Sequence, residues 1–130
     1  MLLVAGTNRN VGKTTFICQL IKRLSLKQPV IAIKITPHFH ESCQSCILLF
    51  QSQNLVITEE KSSTSSKDSS KMLDAGASKV FYIQGADGEL NQVIEILKPI
   101  IPRDVALVCE SAALRKLVIT ALWSSGSASN

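Results

Sequence analysis

Short runs of continuous apolar residues recur along this chain and alternate with stretches in which apolar residues are spaced three and four apart. The run at residues 30–35 is rich in β-branched side chains, which is typical of an interior strand buried on both faces. From Lys13 to Leu24 the spacing instead marks one apolar stripe of an amphipathic helix, comprising Phe16, Ile17, Leu20, Ile21 and Leu24. Because strands that alternate with helices form a mostly parallel sheet covered on both faces, the pattern predicts an α/β fold.

The same patterns predict the remaining elements. Strands are expected at residues 2–5, 30–35, 46–50, 55–58, 80–83, 104–110 and 117–120, although 46–50 and 55–58 are alternatively one strand with a break. Helices are expected from Lys13 to before Pro29, at residues 68–76 and around residues 90–97. Asp68 or Ser69 is expected to cap the second helix, after a serine-rich stretch at 61–67 that is predicted to be a mobile loop.

Length and composition restrict the class of protein. With 130 residues, 45% of them hydrophobic, the chain can form one domain with a core, predicted at residues 1–123 before a flexible tail at 124–130. No run approaches the roughly eighteen apolar residues of a membrane span, and the four cysteines lack a secretory context, so we expect a cytoplasmic protein with reduced thiols. The net charge of +4 arises from scattered Lys and Arg with few aromatic residues, which argues against nucleic acid as a partner.

The segment between the first predicted strand and the first predicted helix carries the sequence Gly12-Lys13-Thr14. Gly12 lets the backbone approach a phosphate, Lys13 supplies a positive charge to the β and γ positions, and the Thr14 hydroxyl can hold Mg²⁺. The usual pattern G-x-x-x-x-G-K-[ST] requires glycine at position 7, where Thr7 stands, and Gly6 is one residue too early. The residues expected to bind the nucleotide phosphates are Thr7, Asn8, Asn10, Val11, Gly12, Lys13, Thr14 and Thr15.

This variant loop resembles that of the dethiobiotin synthetases, which belong to the deviant-Walker class of P-loop proteins. The matching residues are Gly6, Thr7, Val11, Gly12, Lys13 and Thr14. The resemblance implies a three-layer P-loop NTPase-like fold with a mostly parallel central sheet. It also implies that ATP or GTP binds with Mg²⁺ and that Lys13 acts as a catalytic residue.

A second family is similar over residues 1–85, namely protein B of molybdopterin-guanine dinucleotide biosynthesis. The similar segments beyond the loop are Ile33-Lys34-Ile35-Thr36-Pro37-His38, Lys67-Asp68-Ser69 and Ala75-Gly76-Ala77. This resemblance implies an accessory protein of cofactor biosynthesis that binds or slowly hydrolyses GTP and forms a homodimer. The sequence contains no Asn-Lys-x-Asp element that would select guanine, so the choice between ATP and GTP stays open.

Three charged residues are candidates to complete the nucleotide site. Glu110 ends a predicted strand, where a Walker B acid reaches Mg²⁺ and assists catalysis; the alternative is an exposed acid at a strand end. Asp68 is a second candidate ligand of Mg²⁺, with helix capping as the alternative. Lys34 is expected to neutralise a phosphate or substrate anion unless it is simply solvated.

A possible metal site of a different kind lies at residues 38–46. Both histidines and two of the four cysteines fall there, namely His38, His40, Cys43 and Cys46. Imidazole and thiolate ligands suit a tetrahedral Zn²⁺ site, although four ligands this close in sequence are crowded. The alternatives are a polar loop above two packed thiols and a redox-active thiol pair.

These observations favour a nucleoside triphosphate-binding protein that acts as a slow NTPase. Two alternatives remain open from the sequence alone. One is a binding module in which nucleotide and metal gate attachment to a protein partner without useful turnover. The other is a ligase similar to dethiobiotin synthetase, although such enzymes are longer than this chain.

Overall fold

The computed structural model of the chain describes residues 3–6, 13–36, 44, 46–85, 90–102 and 104–111. Strands and helices alternate along most of these ranges, which confirms the prediction of an α/β fold. The elements are β1 (Leu3–Gly6), α1 (Lys13–Leu24), β2 (Val30–Thr36), β3 (Cys46–Gln51), β4 (Leu55–Glu60), α2 (Asp68–Asp74), β5 (Lys79–Gly85), α3 (Leu90–Leu97) and β6 (Ala106–Ser111). The predicted strand at 117–120 and the tail at 124–130 lie outside the described residues.

The six strands form one sheet in the order β1-β6-β2-β5-β4-β3. The pairs β1/β6, β6/β2 and β2/β5 are parallel, whereas β5/β4 and β4/β3 are antiparallel. The sheet is therefore mixed, and the prediction of a mostly parallel sheet was wrong. For β3 and β4 the reason is the short connection at residues 52–54, which allows only a hairpin because a parallel crossover needs a dozen or so residues.

Helices cover both faces of the sheet. Alternate residues of β2 face opposite ways, so Val30 and Ala32 join one core cluster while Ile31 and Ile33 join the other. The first cluster lies beneath α1 and α2 and contains Ile17, Ile21, Val30, Ala32, Met72, Ala77, Val80, Ala106 and Val108. The second lies beneath α3 and contains Ile31, Ile33, Leu55, Ile57, Phe81, Ile83, Val93, Leu97, Ile101, Val105, Leu107 and Cys109.

Helix α1 uses a narrower apolar stripe than the sequence predicted. Ile17 and Ile21, one turn apart, are fully buried against the sheet, whereas Phe16 is exposed. Successive helical residues are about 100° apart, so a stripe centred on Ile17 and Ile21 carries Phe16 away from the sheet. Within the described ranges, no helix is long and apolar enough to cross a membrane.

Helix α2 begins without the predicted side-chain cap. Its N-cap residue is Lys67, no side chain bonds to the cap, and Asp68 is instead the first helical residue. The helix ends as predicted near Gly76, whose N–H donates to Leu73 O while Ala77 N–H donates to Met72 O. Gly76 has φ of +124°, a conformation that side chains disfavour and that glycine adopts readily.

Candidate functional site

Polar residues on neighbouring strands form a row across the face of the sheet that α1 and α2 cover. Glu110 in β6 lies in register with Gly6 in β1 on one side and with Lys34 in β2 on the other. Lys34 is in turn the register partner of Tyr82 in β5, and Tyr82 that of Thr58 in β4. We call Glu110, Lys34, Tyr82 and Thr58 the polar row. It lies near the carboxyl ends of the four parallel strands, the edge at which α/β proteins bind ligands.

Lys34 joins two carboxylates in this row. Its Nζ lies 3.2 Å from Glu110 Oε1 and 3.5 Å from Asp68 Oδ2 at the start of α2. The Glu110 side chain is only 5% exposed and that of Lys34 20%, whereas Asp68 is 41% exposed. Lys34 thus pairs with one buried carboxylate, that of Glu110, and with one partly exposed carboxylate, that of Asp68.

The structure brings together three residues that the sequence suggested from separate segments. Glu110 is buried, so the alternative of an exposed strand-end acid was wrong. Lys34 is paired with two acids, so the alternative of a solvated lysine was wrong. Asp68 pairs with Lys34 and provides no helix cap, so the capping alternative was wrong as well. Whether these residues bind Mg²⁺ or phosphate stays a prediction.

The group of charges also lies beside the start of the predicted phosphate loop. Gly6 is the last residue of β1 and the register partner of Glu110, and α1 begins at Lys13. Of the predicted phosphate-binding residues, Thr7, Asn8, Asn10, Val11 and Gly12 lie outside the described residues. Lys13, Thr14 and Thr15 form the first turn of α1, and the positions of their side chains are not described. The described backbone therefore ends at Gly6, the register partner of Glu110, and resumes at Lys13, the first residue of α1.

Helix α1 lies within the electrostatic field of the two acids. Burial raises the pKa of the Cys18 thiol on this helix, and the negative charges of Glu110 and then Asp68 raise it further. Burial likewise raises the pKa of Tyr82, with a smaller contribution from Asp68. The charges of Glu110 and Asp68 therefore act on Cys18 in α1, where the positive charge of Lys71 opposes them. Carboxylate oxygens are ligands that Mg²⁺ prefers.

A second polar cluster fixes the position of Asp68, and the sequence analysis missed it. The carboxylate of Glu60, at the end of β4, is fully buried and accepts hydrogen bonds from Ser69 Oγ at 2.7 Å and from Ser62 N–H at 3.2 Å. Its Oε1 also lies 3.1 Å from Lys67 Nζ. Glu60 thereby contacts the residues on both sides of Asp68. The only signal in the sequence was an acid at the end of an apolar strand.

The serine-rich stretch at 61–67 is a loop, as predicted, and it is tied to α2 by side-chain hydrogen bonds. Ser70 Oγ donates to Ser62 O and accepts from Ser65 N–H. Lys67 Nζ lies 5.5 Å from the centre of the Tyr82 ring and 3.6 Å from Cys46 Sγ. The loop therefore connects the Glu60 cluster with the polar row.

Most of the predicted zinc site lies outside the described residues, namely His38, His40 and Cys43. Cys46 begins β3 and is in a disulfide, so its sulfur is not a thiolate that could bind Zn²⁺ in this structure. The expectation of reduced thiols was wrong for Cys46, whereas Cys18 and Cys109 are free. Among the residues that the structure describes, no group of three or more His, Cys, Asp or Glu side chains is arranged to hold a metal.

Asp68 and Glu110 would accordingly supply two ligands to a bound cation, and the Thr14 hydroxyl and phosphate oxygens would have to supply others. Comparison with known proteins adds no assignment, since no protein-family model, no curated protein and no solved structure matches the chain.

Proposed function

We propose that this chain binds a nucleoside triphosphate with Mg²⁺ at the carboxyl edge of its parallel strands. The observation that carries the proposal is the contact of Lys34 with Glu110 and Asp68 beside Gly6, where β1 ends. Taking charges out of water is costly, so partly buried charge groups of this kind often serve function rather than stability. The strand end beside this group leads into a sequence typical of phosphate binding.

The residues would have distinct roles in this site. Backbone N–H groups of residues 7–15 would bind the phosphates, and Lys13 would stabilise negative charge on the transferred phosphoryl group. Thr14 and Glu110 would hold Mg²⁺, with Asp68 as a further ligand, directly or through water. The helices on both faces and the loop sequence support a P-loop NTPase-like fold. Slow hydrolysis of ATP or GTP by a cytoplasmic accessory factor of cofactor biosynthesis is the activity that we infer from the family resemblance.

Removal of the Lys13 charge tests the proposal. We expect Lys13→Ala to lower the affinity for ATP or GTP with Mg²⁺ at least about 100-fold, or about 2.8 kcal/mol, in titration calorimetry. Lys22→Ala is the matched control because it removes the same charge from an exposed position in the last turn of α1. Micromolar affinity retained by Lys13→Ala would refute the assignment of the loop.

A thermal-shift panel identifies the preferred base. A ligand that binds only the native state raises the melting temperature according to its concentration relative to the dissociation constant. ATP, GTP, CTP and their diphosphates, each with Mg²⁺, should therefore raise it in order of affinity. Phosphate release measured on the same samples distinguishes an NTPase from a binding module without turnover.

A further inference from the structure

We propose that Cys46 is a redox site, at which a dithiol reduces the disulfide and the ammonium of Lys67 stabilises the sulfur that results. The inference does not depend on nucleotide binding. Cys46 is in a disulfide, and its Sγ lies 3.6 Å from Lys67 Nζ. Sulfur in a disulfide is uncharged, whereas a reduced cysteine sulfur ionises to a thiolate. An adjacent cation therefore stabilises the reduced state more than the oxidised state.

Strand pairing holds the sulfur beside this ammonium. Cys46 begins β3 and is the register partner of Glu60, which ends β4. Side chains of register partners in an antiparallel pair lie on the same face of the sheet. Glu60 Oε1 lies 3.1 Å from Lys67 Nζ. Neither the strand pairing nor this ion pair includes the disulfide, so we expect Lys67 to stay beside Cys46 after reduction.

The carboxylate of Glu60 opposes the ionisation of Cys46, because it binds the same ammonium. Glu60 has other donors, however, since it accepts hydrogen bonds from Ser69 Oγ at 2.7 Å and from Ser62 N–H at 3.2 Å. An ammonium carries three hydrogens that it can donate, so Lys67 can bind the carboxylate and a thiolate together. Reduction thus adds an anion beside a cation that is already in place.

Two further ionisable groups lie near this ammonium. The ring of Tyr82 lies with its centre 5.5 Å from Lys67 Nζ, and burial raises the pKa of its hydroxyl, so Tyr82 is neutral near pH 7. Asp68 follows Lys67 in the chain, but its carboxylate lies 3.5 Å from Lys34 Nζ and pairs with that cation. The charge that most favours a thiolate at Cys46 is therefore that of Lys67.

The two free cysteines lie in environments that oppose ionisation. Burial raises the pKa of Cys18, and the negative charge of Glu110 raises it further. Burial raises the pKa of Cys109 to about 12. Cys46 is only partly buried and contacts an ammonium. Among the cysteines that the structure describes, we therefore expect Cys46 to ionise first once it is reduced.

The reaction is thiol–disulfide exchange with a dithiol. One thiolate of the reagent attacks the disulfide, so that a mixed disulfide forms while the S–S bond of the protein breaks and its electron pair stays on the sulfur that leaves. The second thiol of the reagent then displaces the protein from the mixed disulfide, and the reagent becomes a cyclic disulfide. The reagent has lost two electrons and two protons. The protein sulfurs gain the electrons, one proton binds the other sulfur, and the second proton enters the solvent when Cys46 stays a thiolate.

Reduction at equilibrium tests the role of Lys67. The full chain is equilibrated at about pH 8 with mixtures of reduced and oxidised dithiothreitol, and the reduced fraction of Cys46 is trapped and measured by peptide mass mapping. We expect Lys67→Met to lower the equilibrium constant for reduction at least about threefold, whereas Lys67→Arg keeps the charge and should retain it. Lys61→Met is the matched control, because Lys61 forms its ion pair with the neighbouring acid Glu59. Equal constants for Lys67→Met and Lys61→Met would overturn the proposal.

A second measurement needs no variant. The unmodified chain is fully reduced, and the rate of alkylation by iodoacetamide is measured for each cysteine between about pH 5 and 10 from peptide fragment masses. The midpoint of the pH dependence for Cys46 should lie below the ordinary value of 9.0, and that for Cys18 above it. A midpoint for Cys46 at or above 9.0 would overturn the proposal even if Lys67→Met failed to fold.

Discussion

Lys34 places its ammonium 3.2 Å from the buried carboxylate of Glu110, its register partner on the adjacent parallel strand. The two residues are distant in sequence and meet because β6 inserts between β1 and β2. The free energy lost when a buried ion pair is desolvated can exceed the gain from its attraction, so the pair is weak evidence for stability. The pair lies beside Gly6, the last residue of β1, which is the register partner of Glu110.

Glu110→Gln should weaken the dependence of nucleotide binding on Mg²⁺. The substitution keeps the shape of the side chain and removes the charge that would bind the metal. We expect the ratio of nucleotide affinities with Mg²⁺ and with EDTA, measured by calorimetry, to fall at least about tenfold, or about 1.4 kcal/mol. Glu59→Gln is the matched control, since Glu59 is also an acid near a strand end and forms an ion pair with Lys61 at 3.0 Å. The register partner of Glu59 is Phe81, which is not a residue of the polar row. An unchanged ratio in Glu110→Gln would exclude this carboxylate as a metal ligand.

The reactivity of Cys18 should report the charge of Glu110. Burial raises the pKa of Cys18, and the Glu110 charge raises it further, so the thiolate fraction near pH 8 is small. Glu110→Gln removes the second cause, and the pKa of Cys18 should then move down toward its ordinary value. We expect faster alkylation of Cys18 by iodoacetamide at pH 8, followed by peptide mass mapping, while Cys109 stays protected in the core. If the rate did not change, the field of Glu110 would not reach α1.

The elements that the sequence predicted well are those with strong local patterns. The β-branched run of β2 and the apolar spacing of α1 are local signals, and both elements lie where the sequence placed them. Glu110 could be predicted as a candidate because a strand-end acid in an α/β fold lies at the ligand-binding edge. Its contact with Lys34 could not be predicted, because it depends on strand order, which no local pattern encodes.

The antiparallel half of the sheet was harder to predict for a related reason. The runs at 46–50 and 55–58 could be one interrupted strand or two, and a hairpin became evident only from their pairing. Glu60 ends the second of these strands. It is buried beneath the start of α2, where Lys67 forms an ion pair with it and Ser69 donates a hydrogen bond to it. Burial of a charged residue by partners that lie further along the chain leaves no periodic signal.

Lys67→Met should destabilise the protein by leaving the buried Glu60 carboxylate without this cation. Removal of one partner from a buried pair costs about 3–5 kcal/mol, and we expect about 2 kcal/mol here because the Lys67 side chain is 37% exposed. Urea unfolding measures the change in the free energy of unfolding. Lys61→Met is the control, since its ion pair with Glu59 is more exposed and should contribute less than about 1 kcal/mol.

The double variant Lys67→Met with Glu60→Gln tests the cause of this loss. A neutral amide still accepts a hydrogen bond from Ser69 Oγ, and it needs no cation. Part of the stability lost in Lys67→Met should therefore return in the double variant. A double variant that is as unstable as the sum of the two single variants would mean that the charge of Glu60 is not the cause.

Alkaline pH should destabilise the fold through Cys109. Burial in the core raises the pKa of this thiol to about 12, whereas an unfolded chain releases the proton near the ordinary value of 9.0. Above that ordinary value the unfolded state binds fewer protons than the native state, so the free energy of unfolding falls as pH rises toward 12. The loss approaches about 1.4 kcal/mol per pH unit once the unfolded thiol is ionised.

Urea unfolding between about pH 8 and 10.5, in the unmodified chain and in Cys109→Ala, isolates this contribution. The variant loses core packing at every pH, so the comparison is between slopes and not between absolute stabilities. Other groups that titrate in this range, including Tyr82, contribute equally to both proteins and cancel in the difference. The slope should be shallower in Cys109→Ala. Parallel curves would show that the Cys109 thiol ionises as readily in the native state as in the unfolded chain, which would contradict its burial beneath α3.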